Sequence, residues 1–200
     1  MALKTFVIVS GINNLSDARY CAGMLVNQLG FNIEKQHNNY TDPQSFKELS
    51  EWVSGVEFVG EFELESSAGS LKEQIAEYDL QAIMVSSVSL INEALSTGKS
   101  VIYRTDRLAD AREVSEKWGK QLDYIILEDE SAGTNDLAQL ATTSPIVLGS
   151  GVSVDTVEAI LDDVQPKGIA LKGGNEIRPG YKEFDEMADI LEALEDDEWV

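Results

Sequence analysis

Eight short runs rich in valine, isoleucine and phenylalanine recur along the chain, separated by segments whose apolar residues follow a helical period. Runs of this length and composition are typical of strands that are buried on both faces. Because neighbouring parallel strands need a crossover connection, repeated strand–helix units predict a parallel sheet covered by helices. Eight such units favour an α/β fold of the (β/α)₈ TIM-barrel class, small for its kind, over an open doubly wound sheet. The predicted strands are residues 5–9, 29–33, 57–62, 82–86, 101–105, 124–128, 146–149 and 168–171.

Helical segments lie between these runs. Pro43 stands at the start of one of them, and Gly98 and Gly119 follow the ends of two others, as residue preferences at helix termini predict. No proline- or serine-rich linker interrupts the alternation, so we expect one domain over residues 1–200. The predicted helices are residues 16–26, 43–53, 70–78, 89–95, 108–118, 135–141, 153–164 and 184–194.

The charge balance argues against several classes of partner. The chain contains 15 Lys and Arg against 36 Asp and Glu, which gives a formal net charge of −21. Such a surface repels nucleic-acid backbones and anionic lipid, and the apolar runs are far shorter than the ~20 residues of a membrane span. We therefore expect a soluble cytoplasmic protein, a monomer or homodimer, that binds neither nucleic acid nor membranes.

A single cysteine, Cys21, and a single histidine, His37, restrict the chemistry further. One cysteine cannot form an internal disulfide, and a His/Cys metal site needs more ligands of these types. We expect neither a metal nor a cofactor.

Glycine-rich turns follow the last two predicted strands, and in a barrel of this class the carboxyl ends of the strands carry the active site. Glycines let backbone N–H groups approach an anion, and helix N-termini favour negative charge. These turns therefore predict a binding site for a phosphorylated small molecule, although tight turns alone would also use glycine. The candidate phosphate-binding residues are Gly149, Ser150 and Gly151 after the seventh strand, and Lys172, Gly173 and Gly174 after the eighth.

Six segments carry motifs with a recognisable order and spacing. Residues 9–18 read VSGINNLSDA and residues 145–152 read PIVLGSGV; the others are residues 29–31, 39–43, 59–62 and 168–182. Together they resemble the phosphoribosylanthranilate isomerase family of tryptophan biosynthesis. In that family the segment at the first strand reads CGITNLEDA, and the segment at the seventh strand reads PVILAGGL. The resemblance covers almost the whole chain and identifies a divergent member. It implies a small eight-stranded barrel and an isomerase that converts a phosphorylated aminoaldose to a ketose.

The departures from the family pattern fall on the catalytic positions. The resemblance places the family's general base, a cysteine, at Ser10 and its general acid, an aspartate, at Glu128, with Asp129 next in the chain. A serine hydroxyl is a very poor base unless a neighbouring group takes its proton. The arginine that holds the anthranilate carboxylate in the family falls on Asn39, which carries no charge. The phosphate-binding rim is thus retained while the base and the carboxylate clamp are substituted.

Other polar residues at the same rim have both a functional and a structural interpretation. His37, after the second strand, would supply a different base or simply be solvated. Arg104 would contact the ligand or pair with Asp106, and Lys172 would bind phosphate or neutralise a carboxylate at the barrel end. The glutamates that would act as acids in the mouth, or only keep the chain soluble, are Glu34, Glu61 and Glu63.

Three functions stay open on the sequence alone. The first is a divergent barrel that binds a phosphosugar-like anion and has lost or altered the isomerase reaction. The second is a working phosphoribosylanthranilate isomerase that uses Glu128 and another base. The third is a structural or regulatory barrel that needs no ligand and catalyses nothing.

Overall fold

The computed structural model describes residues 2–63, 70–173, 176–178, 181–182 and 184–195. Within them, eight strands form a closed barrel in which each strand pairs with its neighbours in chain order and β8 closes on β1. All of these pairings are parallel. The strands are β1 (Phe6–Ser10), β2 (Gln28–Asn32), β3 (Glu57–Phe62), β4 (Ala82–Val85), β5 (Ser100–Thr105), β6 (Tyr124–Leu127), β7 (Ile146–Leu148) and β8 (Gly168–Lys172).

A helix follows each strand, which confirms the predicted (β/α)₈ barrel. Three of the helices begin at side-chain caps, and at one of them Ser70 accepts the backbone N–H of Glu73. Asn14 accepts the backbone N–H of Asp17, and Asp42 accepts those of Gln44 and Ser45. The helices are α1 (Leu15–Gly23), α2 (Pro43–Ser50), α3 (Leu71–Gln74), α4 (Ile91–Ser96), α5 (Leu108–Trp118), α6 (Thr134–Ala141), α7 (Val157–Asp163) and α8 (Phe184–Ala193).

The largest differences from the predicted elements concern two helices and one pair of strands. Helix α7 begins at Val157 instead of residue 153, because Thr156 Oγ1 accepts the Ser153 N–H and donates to the Gly151 carbonyl, which makes a turn. Helix α3 spans four residues of the nine predicted. A short antiparallel pair of strands after β8, formed by β9 (Glu176–Arg178) and β10 (Tyr181–Lys182), was not predicted.

Two apolar regions hold the described chain together. The inner one fills the barrel with side chains from the strands, among them Ile8, Val59, Met84 and Ile126. The outer one lies between the strands and the helices, because alternate strand residues point to opposite faces. No helix of the described chain is long and apolar enough to cross a membrane.

Candidate functional site

The inward-facing side chains change from apolar to polar at the carboxyl ends of the strands. Val59 belongs to the inner apolar region, and Glu61, two residues later, points to the same side of β3. The same step of two residues leads from Ile8 to Ser10 on β1. We call the resulting set the mouth layer. Its members are Ser10, Asn32, Glu61, Arg104, Glu128 and Lys172.

A chain of charged contacts crosses the mouth and joins members of this layer to two neighbouring residues. Arg104 Nη1 lies 3.2 Å from Glu63 Oε1, and its Nη2 donates to Glu128 Oε1. Lys172 Nζ lies 3.3 Å from Glu128 Oε1, and His37 Nε2 lies 3.4 Å from Glu63 Oε2. The side chain of Arg104 is only 8 % exposed. The carboxyl ends of β3, β5, β6 and β8 are therefore linked through one buried guanidinium.

Glu128, the candidate general acid, is held as a carboxylate by these contacts. Burial pushes its pKa upward, but hydrogen bonds and charge from Arg104 and Lys172 outweigh burial and lower the pKa below its ordinary value. Asp129 lies outside the contact chain, because its carboxylate accepts the Leu108 and Ser131 N–H groups. The Ser131 hydroxyl and these amides lower its pKa as well. Neither carboxyl group holds a proton to donate at neutral pH.

Glu61 lies at the bottom of the mouth layer with no exposed surface. Its Oε2 accepts the Gly11 N–H at 3.1 Å, and its Oε1 occupies the space where a side chain at Gly30 would begin, 1.9 Å from that Cβ position. Burial raises the pKa of Glu61 to about 7, against the lowering effects of Arg104 and of the Ser10 hydroxyl. Ser10, at the family's base position, is 2 % exposed. The structure thus places the Glu61 carboxyl group beside Ser10. From the sequence, Glu61 was only one of several candidate acids at the rim.

Asn39, at the position of the family's arginine, joins two loops. Its Nδ2 donates to the Gly11 carbonyl at 3.0 Å, and its Oδ1 accepts from Asn13 Nδ2 at 2.5 Å. Its backbone N–H donates to His37 Nδ1 at 3.1 Å, so a neutral His37 carries its proton on Nε2, toward Glu63. These contacts give Asn39 a structural role at the rim.

The glycines of the β7–β8 rim divide into two groups. The N–H of Gly149 donates to the Leu127 carbonyl and the N–H of Gly173 to the Ser10 carbonyl, so both already serve strand pairing. The N–H groups of Ser150 and Gly151 have no acceptor among the described residues. Lys172 contacts Glu128, which is the carboxylate-neutralising role considered for it. Gly174 lies outside the described residues.

A cavity of about 310 Å³ opens beside the Ser150–Gly151 turn, between α6 and α7. Its walls are partly apolar, and the carboxylates of Asp129 and Asp155 line it. These charges disfavour an anion on that side of the turn, so an anion at Ser150 and Gly151 would lie on the mouth side.

Within the described ranges, no group of three or more His, Cys, Asp or Glu residues is arranged to hold a metal ion. Cys21 lies buried in α1, where burial and then the charge of Asp17 raise the pKa of its thiol to about 12. It cannot replace the missing cysteine base, because the thiol stays protonated at neutral pH.

Sequence comparison finds phosphoribosylanthranilate isomerases among the relatives of this chain. No family model matches the chain. A phosphoribosylanthranilate isomerase from Synechococcus sp. is 26 % identical over 98 % of this chain and 93 % of its own length. One from Gloeothece citriformis is 23 % identical over 94 % of this chain and 93 % of its own length.

Solved structures agree with the sequence relatives. A phosphoribosylanthranilate isomerase solved in complex with reduced 1-(o-carboxyphenylamino)-1-deoxyribulose 5-phosphate superimposes with a TM-score of 0.76. It is 19 % identical, and the match covers 95 % of this chain and 98 % of that one. The Thermus thermophilus enzyme gives a TM-score of 0.73 at 20 % identity, with the same coverage. The chain is a divergent relative of the phosphoribosylanthranilate isomerases and shares their barrel fold.

Proposed function

We propose that this chain is a phosphoribosylanthranilate-isomerase-like barrel that binds a phosphorylated small molecule at its β7–β8 rim and isomerises phosphoribosylanthranilate very poorly. The contact chain across the mouth carries the proposal. It leaves Glu128, at the family's acid position, ionised between Arg104 and Lys172. A general acid needs a proton to donate, and this group has none at neutral pH.

The other two substituted positions support the same conclusion. Ser10 has a hydroxyl where the family uses a thiolate, and its side chain is almost fully buried. Asn39 offers the anthranilate carboxylate no charge, and its amide is already bonded to Gly11 and Asn13. The loss of a general base alone costs about 10²–10⁴ in rate, and a missing clamp weakens substrate orientation further.

Purified protein is expected to turn over phosphoribosylanthranilate at least about 100-fold more slowly than a family enzyme that has all three catalytic and binding groups. It should fail to restore growth to a tryptophan auxotroph that lacks the isomerase. The double variant Ser10→Cys, Asn39→Arg should raise the residual rate, because it supplies a thiol base and a cation for the carboxylate. Fluorescence assays of turnover measure all of these rates. Robust growth with the unmodified chain would refute the proposal and favour the working isomerase.

The binding half of the proposal rests on local donors, since the net charge of −21 repels anions at long range. Ser150 and Gly151 offer two N–H groups without acceptors among the described residues. The Lys172 side chain is 66 % exposed and reaches the same rim, where it contacts Glu128. A phosphate dianion would compete with Glu128 for this ammonium group. The phosphoribosylanthranilate isomerase solved with a bound ligand holds a 5-phosphate.

Titration with ribose 5-phosphate is expected to shift the backbone amide signals of Ser150 and Gly151 at millimolar concentration, with little change elsewhere outside the mouth. Lys172→Ala should weaken binding at least about 10-fold, because a hydrogen bond to a charged group contributes about 1.5–3 kcal/mol, and added salt should weaken binding as well. Lys47→Ala, on the exposed face of α2, is the matched control and should bind as the wild type does. If no amide moves, the rim glycines only form turns, and the ligand-free structural barrel becomes the better account.

A further inference from the structure

Three buried polar atoms of the mouth layer lack a hydrogen-bond partner within the described chain. They are Ser10 Oγ, Asn32 Nδ2 and Glu61 Oε1; the Ser10 hydroxyl lies near enough to the Glu61 carboxyl group to lower its pKa, but not at hydrogen-bonding distance and angle. Strand pairing brings them together: Asn32 pairs with Glu61 across β2 and β3, and the Glu61 carboxyl lies over Gly30, next to β1. Buried polar atoms are normally paired, so three such atoms at one point of the mouth indicate a place for a further polar partner.

Retaining an ionisable carboxyl group here is unfavourable for the fold. A carboxylate taken fully out of water loses solvation that its neighbours replace only in part. Arg104 and the Gly11 N–H compensate some of that loss, but Oε1 keeps no partner among the described residues. A buried acid that does not serve stability, in the mouth of a barrel, is of the kind found at reaction sites.

We propose that Glu61 is a general base of this mouth and removes a proton from the carbon next to the carbonyl group of a phosphorylated sugar. The proposal rests on the phosphate site proposed above, and it assigns the base to a different strand from the one that the family pattern uses. Glu61 lies on β3, whereas Ser10 occupies the family's base position on β1. Ser10 then acts as a positioning residue beside the carboxylate.

The step balances without a cofactor. The C–H bond breaks, its proton forms an O–H bond with Glu61, and its electron pair becomes a C=C bond as the carbonyl π electrons move to oxygen. The resulting oxyanion needs a cation to stabilise it. Arg104 is the mouth-layer cation whose charge lowers the pKa of Glu61, so it lies close enough to stabilise the oxyanion. The proton on Glu61 exchanges with solvent, and transfer of a solvent-derived proton or deuteron from Glu61 to carbon restores the sugar. Because Glu61 has no exposed surface, a ligand must displace neighbouring side chains to reach its carboxyl group, and an anionic ligand would compete with Glu63 and Glu128 for Arg104.

The pH dependence follows from the groups that face Glu61. They are Ser10 on β1, Gly11 after it, Arg104 on β5, Tyr124 on β6, and Glu63 at the end of its own strand. Burial dominates and raises the pKa of Glu61 to about 7. A base must be deprotonated to act, so proton removal should accelerate as the pH rises through about 7 and level off above it.

Solvent exchange tests the inference without knowledge of the natural substrate. The probe is ribulose 5-phosphate in D₂O, followed by loss of the proton NMR signal at the carbons next to the carbonyl group. The wild-type chain is expected to accelerate deuterium incorporation above the buffer rate, and Glu61→Gln to lower the enzymatic rate at least about 100-fold. Ser10→Ala should keep exchange but move its pH profile upward, because the Ser10 hydroxyl lowers the pKa of Glu61.

Thr41→Val is the matched control. Thr41 Oγ1 is also buried without a partner in the described residues, but the Thr41 carbonyl binds Tyr78 on the outer side of the barrel, so this variant should exchange at the wild-type rate. Exchange at the buffer rate while amide shifts show bound ligand would overturn the inference and leave the phosphate site standing. Equal rates for Glu61→Gln and wild type would overturn it too. Absence of both shifts and exchange would overturn the inference together with the proposed site.

Discussion

Glu61→Gln is expected to make the protein more stable at neutral pH, by an amount that grows with pH. The pKa of Glu61 is about 7 in the folded chain, against an ordinary value of 4.5. Below pH 4.5 the carboxyl group is protonated in both states, so it contributes no pH-dependent difference. Between pH 4.5 and 7 the unfolded chain ionises while the folded chain does not, which lowers the free energy of unfolding. Above pH 7 the cost levels off at about 3 kcal/mol.

The glutamine variant removes this titration and keeps the shape of the side chain. Its amide oxygen can still accept the Gly11 N–H, and Arg104 keeps its contacts with Glu63 and Glu128. The gain in the free energy of unfolding should therefore rise from below about 1 kcal/mol at pH 5 to about 3 kcal/mol at pH 8. Urea unfolding over this range measures it. The control is Glu113→Gln on the exposed face of α5, for which the difference from wild type should not grow with pH. A gain that does not change with pH would show that Glu61 is ionised throughout.

The same variant separates stability from chemistry. If Glu61→Gln unfolds at higher urea concentration than the wild type and yet loses deuterium exchange, the lost exchange cannot be attributed to damage of the fold. A group whose removal stabilises the chain while abolishing activity has the trade-off expected of a functional site.

The barrel was predictable from the sequence because its strands are short, continuous and apolar. Residues 57–62 and 108–118 were predicted with the bounds that β3 and α5 have in the structure. Hydrophobic period and helix-end residues decide such elements locally. The start of α7 was not predictable in this way, because the side chains of Ser153 and Thr156 bond within a turn instead of continuing the helix. Hydroxyl residues near a helix start offer the backbone both choices.

The mouth was only partly predictable. The rule that polar residues at strand ends face the mouth led to Ser10, Arg104, Glu128 and Lys172, and the structure brings all four to this end of the barrel. It could not show which partner Arg104 would take. The sequence suggested Asp106, the near neighbour, whereas the guanidinium contacts glutamates that are 41 and 24 residues away in the chain. Such contacts depend on strand order around the barrel.

The acidic composition of the chain made Glu61 hard to distinguish from the other glutamates. In a chain with 36 acidic residues, one more glutamate is most simply a solubilising side chain. The alternation along β3 could have identified Glu61, since Val59 and Glu61 share the inward face while Phe62 points outward. A carboxyl group on the inward side of a buried strand is unusual enough to mark the position. Gly30 on the neighbouring strand is a second indication, because only glycine at that position leaves room for the Glu61 carboxyl group.

Arg104→Met is expected to destabilise the protein by about 3–5 kcal/mol at neutral pH, since removing one partner of a buried ion pair leaves the other charge uncompensated. Methionine fills a similar volume, so the main effect is electrostatic. The contact with Glu63 contributes little to this figure, because the Glu63 side chain is 36 % exposed and solvent screens it. Glu128, 18 % exposed, and Glu61, with no exposed surface, carry the effect.

The loss should shrink as the pH falls. Without Arg104 the pKa of Glu61 rises further and that of Glu128 loses its main lowering influence, so both groups take up protons more readily in the folded chain. Protonation removes the uncompensated charge, and the variant should approach wild-type stability toward pH 5.

The triple variant Arg104→Met, Glu61→Gln, Glu128→Gln removes the guanidinium and both buried carboxylates together, and should recover most of the stability lost at pH 8. Urea unfolding of the wild type and both variants at pH 5 and pH 8 measures these differences. If Arg104→Met lost less than about 1 kcal/mol of unfolding free energy at pH 8, the ion pairs of Arg104 would be as weak as those between exposed surface residues. Arg104 would then not explain why Glu128 is ionised.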